Sequence, residues 1–259
     1  MKVLIFDSAH SASVTIANRL IETVKSNANP VLGLATGGTV EPVYRKMVSC
    51  YAKGEVSFEA TRTFNLDEYV GLSVDHPMSY HAYMKVHLFG LTDFSEGNIN
   101  IPKGDAIDPV SEANLYESKI NNQCKIDCQL LGIGENGHVG FNEPTSSLGS
   151  VTRIKTLAPE TVEANRRYFD RVEDVPRQAI TMGIATIMRS KAIVLLATGT
   201  KKAKAVAEMI EGPVSANCPA SILQFHPAAE IYLDLAAARE LKLRDYYQSV
   251  HPNGKELML

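Results

Sequence analysis

The residues best suited to moving protons fall in two short stretches. Phe64-Asn65-Leu66-Asp67-Glu68-Tyr69 closes a hydrophobic run with two adjacent acids. If one of that pair faces a cleft, partial removal from water raises its pKa and makes it a usable proton-transfer base. The second stretch is Gly132-Ile133-Gly134-Glu135-Asn136-Gly137-His138-Val139-Gly140-Phe141-Asn142-Glu143-Pro144. A histidine exchanges protons near neutral pH, and Glu143 could fix the tautomer of His138 and stabilise its cation.

Other loops are suited to an anion. Thr36, Gly37, Gly38 and Thr39 lie between an aliphatic run and a helical pattern. Paired glycines let backbone approach a ligand closely, and Thr39 is placed to cap the helix. The helix N–H groups and dipole then favour a phosphate. No Gly-Lys-Ser/Thr follows, so a nucleotide triphosphate is not expected. Thr198-Gly199-Thr200-Lys201-Lys202 makes a similar turn, with two lysines where the dipole alone disfavours them. Arg166 and Arg167 offer bidentate phosphate contacts. Gly132, Gly134 and Gly137 spell a G-x-G-x-x-G, but Gly140 and Pro144 interrupt the helix that a dinucleotide fingerprint must open.

These loops need a frame that delivers them to one place. Aliphatic runs at 3–6, 31–35, 61–66, 129–133, 192–197 and 230–233 read as strands. Val14, Ala17, Leu20, Ile21 and Val24 recur at helical spacing between the first two, and further helices are expected at 41–52, 78–89, 109–122 and 201–210. Strands alternating with helices imply an α/β fold with a mostly parallel sheet covered on both faces. Ligands of such sheets sit at the carboxyl ends of the strands, where all the loops above lie. Residues 161–178, with Arg166, Arg167, Asp170, Arg171, Glu173, Asp174 and Pro176, break the rhythm and read as an exposed excursion or a flap over the site.

Composition narrows the partners. The 259 residues are 45% hydrophobic with net charge −3, so a single unit over 1–259 is compatible with the length, and general electrostatic binding of nucleic acid is disfavoured. No apolar run spans a membrane or makes a secretory signal. Cys50, Cys124, Cys128 and Cys218 lack zinc or thioredoxin-like spacing and are expected to be reduced thiols in the cytoplasm.

Leu34-Ala35-Thr36-Gly37-Gly38-Thr39, Thr63-Phe64-Asn65-Leu66-Asp67-Glu68-Tyr69-Val70-Gly71-Leu72 and Gly134 through Pro144 resemble glucosamine-6-phosphate deaminases. Thr152-Arg153-Ile154-Lys155-Thr156-Leu157 and Leu223-Gln224-Phe225-His226-Pro227 are similar to that family too, in order over nearly the whole chain. The resemblance implies a Rossmann-like, doubly wound sheet, to which the excursion at 161–178 would add a helical flap. It implies conversion of glucosamine 6-phosphate and water to fructose 6-phosphate and ammonia, without metal or other cofactor. Asp67 would carry the C2 proton to C1, and His138 with Glu143 would assist ring opening. Gly37, Gly38 and Thr39, with Thr36 in the same turn, would meet the phosphate together with Arg167 and Lys202.

Some members carry an aspartate where this chain has Asn136. Asparagine can hydrogen-bond but cannot stabilise an imidazolium by charge, which leaves Glu143 as the charge partner of His138. Ser146, Arg153 and Lys155 match positions that hexameric members use for an effector, but the tail from Asp245 departs from their pattern. A monomer or small unregulated homo-oligomer is expected. A lactonase of related fold would need no base at C2. A sugar-phosphate sensor would normally add a DNA-binding module, for which a first strand at residue 3 leaves no room.

Overall fold

A computed structural model describes residues 1–122, 125–166, 169, 171 and 174–255. The strands, in chain order, are β1 (Lys2–Phe6), β2 (Val31–Leu34), β3 (Arg62–Asn65), β4 (Asp67–Tyr69), β5 (Ile99–Asn100), β6 (Cys128–Gly132), β7 (Arg153–Thr156), β8 (Gln178–Thr181), β9 (Ala192–Ala197) and β10 (Ala229–Asp234). The helices are α1 (Ala9–Ser26), α2 (Glu41–Ala52), α3 (Tyr80–His87), α4 (Pro109–Asn122), α5 (Pro159–Asn165), α6 (Ile184–Met188), α7 (Ala203–Glu211) and α8 (Arg244–Val250). Among the described residues no helix is long and apolar enough to cross a membrane.

Seven strands form one sheet in the order β1-β10-β9-β6-β2-β3-β5, and every adjacent pair is parallel. Every residue of β9, Ala-Ile-Val-Leu-Leu-Ala, is buried, which requires cover on both faces of the sheet. The intervening helices supply it. α1 starts where the Ser8 hydroxyl accepts the Ser11 N–H at 3.1 Å, and it buries Ile16, Leu20 and Val24 along one face. Gln129 on β6 lies across Gly33 on β2 so closely that a methyl group there would meet its amide oxygen at 1.9 Å.

The strand order sets the location of the crevice. From β2 the chain builds outward through β3 to β5, and from β6 it builds the other way through β9 to β10. β2 and β6 are neighbours, so their connections leave the sheet in opposite directions and open a gap at their carboxyl ends. The loops that follow are 36–39 after β2 and 133–144 after β6. β3 and β9 flank them, leading to Asp67 and to the turn before Lys202. Adjacent strands are only about 4.8 Å apart, so this order brings the loops together.

Asp67 and Glu68 do not simply end a parallel strand, as the sequence suggests. They open β4, the edge of a separate antiparallel sheet ordered β4-β8-β7. Leu66 joins the two sheets: its N–H donates to Leu34 O at 3.0 Å, and its carbonyl accepts from Met182 N at 2.7 Å. The carboxylate of Glu117 on α4 anchors the smaller sheet, accepting from the Thr152 N–H at 3.1 Å, from the hydroxyls of Thr152 and Thr186, and from Arg189.

Other boundaries differ for local reasons. The helix expected at 78–89 starts at Tyr80 because the Ser79 hydroxyl caps it, accepting from Ala82 N at 3.0 Å. The helix expected at 201–210 is preceded by a 3₁₀ turn, Thr200–Lys202, and begins at Ala203. The excursion at 161–178 opens within α5 and ends as β8 begins; within it, residues 167–168, 170 and 172–173 lie outside the described residues. Phe169 folds back, its ring packed edge-on against Tyr69 with centroids 6.1 Å apart.

Candidate active site

Because β4 is extended, Asp67 and Glu68 point to opposite sides. Glu68 is fully buried, and its carboxylate accepts the N–H groups of Tyr69 at 2.8 Å, Tyr80 at 2.9 Å and His81 at 3.2 Å. Nδ1 of His81 faces it at 3.0 Å. Glu68 therefore satisfies the first turn of α3 and fixes Tyr80. Asp67 is buried too, on the other side. Burial pushes its carboxyl up to about 8, and the Glu68 charge adds to the shift.

The loop after β6 contains no helix, so its three glycines serve a different purpose from a dinucleotide fingerprint. Gly137 and Gly140 have φ of 84° and 55°, and Gly134 lies so near the His138 ring that a methyl group would come within 2.4 Å of it. The segment 215–221 braces the loop: Ala220 N donates to Gly137 O at 3.0 Å, and Ala216 O accepts from Thr145 N at 2.7 Å.

His138 Nδ1 sits 3.2 Å from Glu143 Oε2, at ion-pair distance but too bent for an aligned hydrogen bond. Burial opposes ionisation of Glu143; contact with His138 outweighs it, with help from Thr161 and Asn136, and holds the carboxyl at about 2. Asn136 donates its amide to Glu143 Oε2 at 2.8 Å, while its oxygen accepts the His138 backbone N–H at 3.3 Å. The asparagine thus braces the carboxylate rather than the imidazole. An aspartate in its place would set two carboxylates against each other.

The loop meets Asp67 at Gly140. A β-carbon built there would lie 3.2 Å from Asp67 Oδ2 and 3.1 Å from Thr181 Oγ1. Thr181 is the cross-strand partner of Asp67 and accepts the Phe141 N–H at 3.1 Å. Gly140→Ala forces a side chain into an unfavourable φ and against the carboxyl. It should lower kcat/KM by about tenfold or more, beyond its loss of about 1 kcal/mol of stability. Steady-state kinetics alongside urea unfolding would check this; a stability loss with unchanged kcat/KM would show that Asp67 tolerates the displacement.

The turn at 36–39 adjoins the same space. Tyr80 stands between them, its hydroxyl within hydrogen-bonding range of the Thr36 hydroxyl and 3.3 Å from Tyr69 Oη, close enough to feel the Asp67 charge. Tyr83 donates to Gly37 O at 3.0 Å. Gly37 has φ of 117° and no atom within 4 Å of where its β-carbon would sit; Gly38 has only Glu41 Oε1, at 3.8 Å. Thr39 is not the cap that its sequence position suggests. Val40 occupies the cap position without a side-chain hydrogen bond. Pro42 has no N–H and Val43 N donates back to Val40 O at 3.0 Å, so an anion here would have to use the backbone of the glycine turn itself and the Glu41 N–H.

Lys202 is the cap residue of α7, on the turn that leaves β9. Arg166 is exposed and pairs with Glu163 at 3.5 Å, on the surface rather than in the cleft. Arg167 lies outside the described residues, as does Cys124. Cys50, Cys128 and Cys218 are buried free thiols. Tyr80 and Thr181 have no chemical motif around them in the sequence; only the pairing of β4 with β8 and the capping by Glu68 bring them to Asp67.

A buried carboxyl and a histidine–carboxylate pair, meeting at the switch point of an open parallel sheet, mark an α/β enzyme of proton-transfer chemistry. Comparison with known proteins specifies the class. The chain belongs to the family of glucosamine-6-phosphate isomerases and 6-phosphogluconolactonases, whose pattern it matches over residues 6–232. It is 49% identical over 260 residues to a glucosamine-6-phosphate deaminase of Marinomonas sp. (strain MWYL1), covering 99% of this chain and 98% of that one. One from Rhodopirellula baltica is also 49% identical, over 94% of this chain and 97% of its own. The solved structure of a monomeric glucosamine-6-phosphate deaminase superposes with TM-score 0.91 at 43% identity, covering 93% of this chain and 100% of that one. A Trypanosoma brucei 6-phosphogluconolactonase, with TM-score 0.76 at 16% identity over 93% of this chain and 98% of its own, shares the fold.

Proposed function

We propose that the protein converts glucosamine 6-phosphate and water to fructose 6-phosphate and ammonia. The observation that carries this reading is the meeting of Asp67 with the His138–Glu143 loop at Gly140, close to the glycine turn at 36–39. The deaminases that match nearly the full chain support the choice of substrate.

The phosphate is assigned to Gly37, Gly38 and Thr39 at the start of α2, with Thr36 shaping the turn and Lys202 and Arg167 supplying charge. Held there, it leaves C1 and C2 of the sugar at the Asp67 end of the cleft. His138, backed by Glu143, assists proton transfer as the pyranose opens, which exposes the C1 aldehyde. Ionised Asp67 then removes the C2 proton; the electron pair forms the C1–C2 double bond while the π pair of the C1 aldehyde moves to O1, which takes a proton from water, giving an enolamine. Returning that proton to C1 gives a C2 imine. Water adds to the imine carbon, ammonia departs, and the ketone of fructose 6-phosphate remains. Each step transfers protons or adds water, and the groups at hand suffice.

The whole chain acts as one unit on this reading, since Leu66 ties the sheet bearing Asp67 to the sheet bearing the other loops. A monomer or small homo-oligomer is favoured by the monomeric relative, and a reducing cytoplasm by the buried free thiols. The decisive test is a coupled assay for ammonia and fructose 6-phosphate. Release of both in equal amounts is expected; hydrolysis of 6-phosphogluconolactone with no ammonia from the amino sugar would replace this function with that of the lactonases.

A further inference from the structure

Asp234 ends β10, the strand beside β9, where Leu233 pairs with Ala197. Both of its carboxylate oxygens lie 3.1 Å from the backbone nitrogen of Gly199, and Oδ1 also accepts from Ala237 N at 2.8 Å. Gly199 has φ of 85° and ψ of 156°, a conformation that L side chains rarely adopt. Its carbonyl accepts from Lys202 N at 3.2 Å, closing the turn that places Lys202 at the start of α7. The carboxylate thus holds the N–H of the residue whose carbonyl accepts from the lysine backbone, Gly199.

We propose that Asp234 is a positioning residue for phosphate recognition: by holding the Gly199 N–H it sets the turn that presents Lys202 to the sugar phosphate. This rests on the reading of Lys202 as a phosphate contact. An acid this near an anion site would ordinarily repel the ligand. Here its oxygens are directed onto backbone donors of the turn, so its charge strengthens those hydrogen bonds. A carboxylate suits the role because it only accepts: either oxygen can serve Gly199 while Oδ1 also serves Ala237. The simpler alternative is a local role, in which the side chain only shapes the turn where Ala238 N also donates to the Asp234 carbonyl at 3.1 Å. The two roles differ in what they change. A turn-shaping residue affects stability, whereas one that aims Lys202 affects affinity for phosphate.

The test compares Asp234→Asn, Asp234→Ala, Lys202→Ala and the Asp234→Ala/Lys202→Ala pair. The readouts are kcat, KM for glucosamine 6-phosphate, the competitive inhibition constant of inorganic phosphate, and the melting temperature. Asp234→Ala should raise KM and the phosphate constant together by about tenfold, as expected for loss of a charge-assisted contact, with a smaller effect on kcat. Asp234→Asn should fall between it and wild type. On the Lys202→Ala background, Asp234→Ala should add little, because its effect runs through the lysine. If Lys202→Ala raises both constants but the Asp234 variants do not, or if the Asp234 and Lys202 effects simply add, the proposal is overturned and the phosphate reading stands. If Lys202→Ala changes neither constant, that reading falls and the proposal with it.

Discussion

Asp67→Asn lowers kcat for ammonia release by about 10³-fold while KM changes by no more than about threefold. The amide matches the carboxylate in size and still fits between Gly140 and Thr181, so the wall of the cleft survives. What it lacks is the ability to accept a proton from carbon. The site is buried, which keeps solvent from substituting efficiently as the base. A second signature separates this from general damage. Exchange of the C2 hydrogen with deuterated solvent should disappear in the variant, because that exchange is the base's own step. Interconversion of the sugar anomers, assigned to His138 and Glu143, should persist. Near-normal turnover, or C2 exchange at the wild-type rate, would remove Asp67 from the role.

Much of this arrangement is legible in the sequence because parallel strands buried on both faces leave continuous aliphatic runs. β9 is read at its observed bounds, and α2 and α4 at theirs, from periodicity and flanking turns. The strand-end loops named as chemically interesting, at 36–39, 67–69, 132–144 and 198–202, follow neighbouring strands of the sheet, since strand ends are the places where a sheet can present them. Arg166, by contrast, lies on the surface. The small antiparallel sheet was not legible. Three residues, Asp-Glu-Tyr, carry no alternation signal, and β7 and β8 lie far apart in sequence, on either side of the charged excursion. The bracing by Glu68, Thr181 and Asp234 was equally hidden. Each works through backbone N–H groups brought close by tertiary pairing, and no spacing rule encodes such contacts. Thr39 illustrates the opposite error: a good capping type at a helix start, displaced by one residue when the turn tightens around Gly37.

The proton affinity of Asp67 has a further consequence, for stability. Its carboxyl titrates near about 8 in the folded protein and near about 3.9 in an unfolded chain. Between those values the folded state holds a proton that the unfolded state has released. Stability therefore falls as pH rises through this window, and levels off above about 8. Each unit of difference corresponds to about 1.4 kcal/mol, so a cost of about 3 kcal/mol or more by pH 8 is expected even if the chain relaxes partly around the charge. Asp67→Asn removes the titration. Urea unfolding across pH should show the variant close to wild type at about pH 4.5 and more stable by about 3 kcal/mol at pH 8. Glu143 does not blur the comparison, because its depressed pKa of about 2 gives stability that is present above its unfolded pKa and is lost only as pH falls toward 2. Parallel curves for the two proteins would mean that Asp67 is not held protonated by its surroundings. Activity should move in the opposite sense over the same range, with kcat/KM rising toward pH 8 as the base ionises. The pH at which the wild type becomes competent is then the pH at which its loss of stability is complete, because above it the folded and unfolded chains both carry Asp67 ionised.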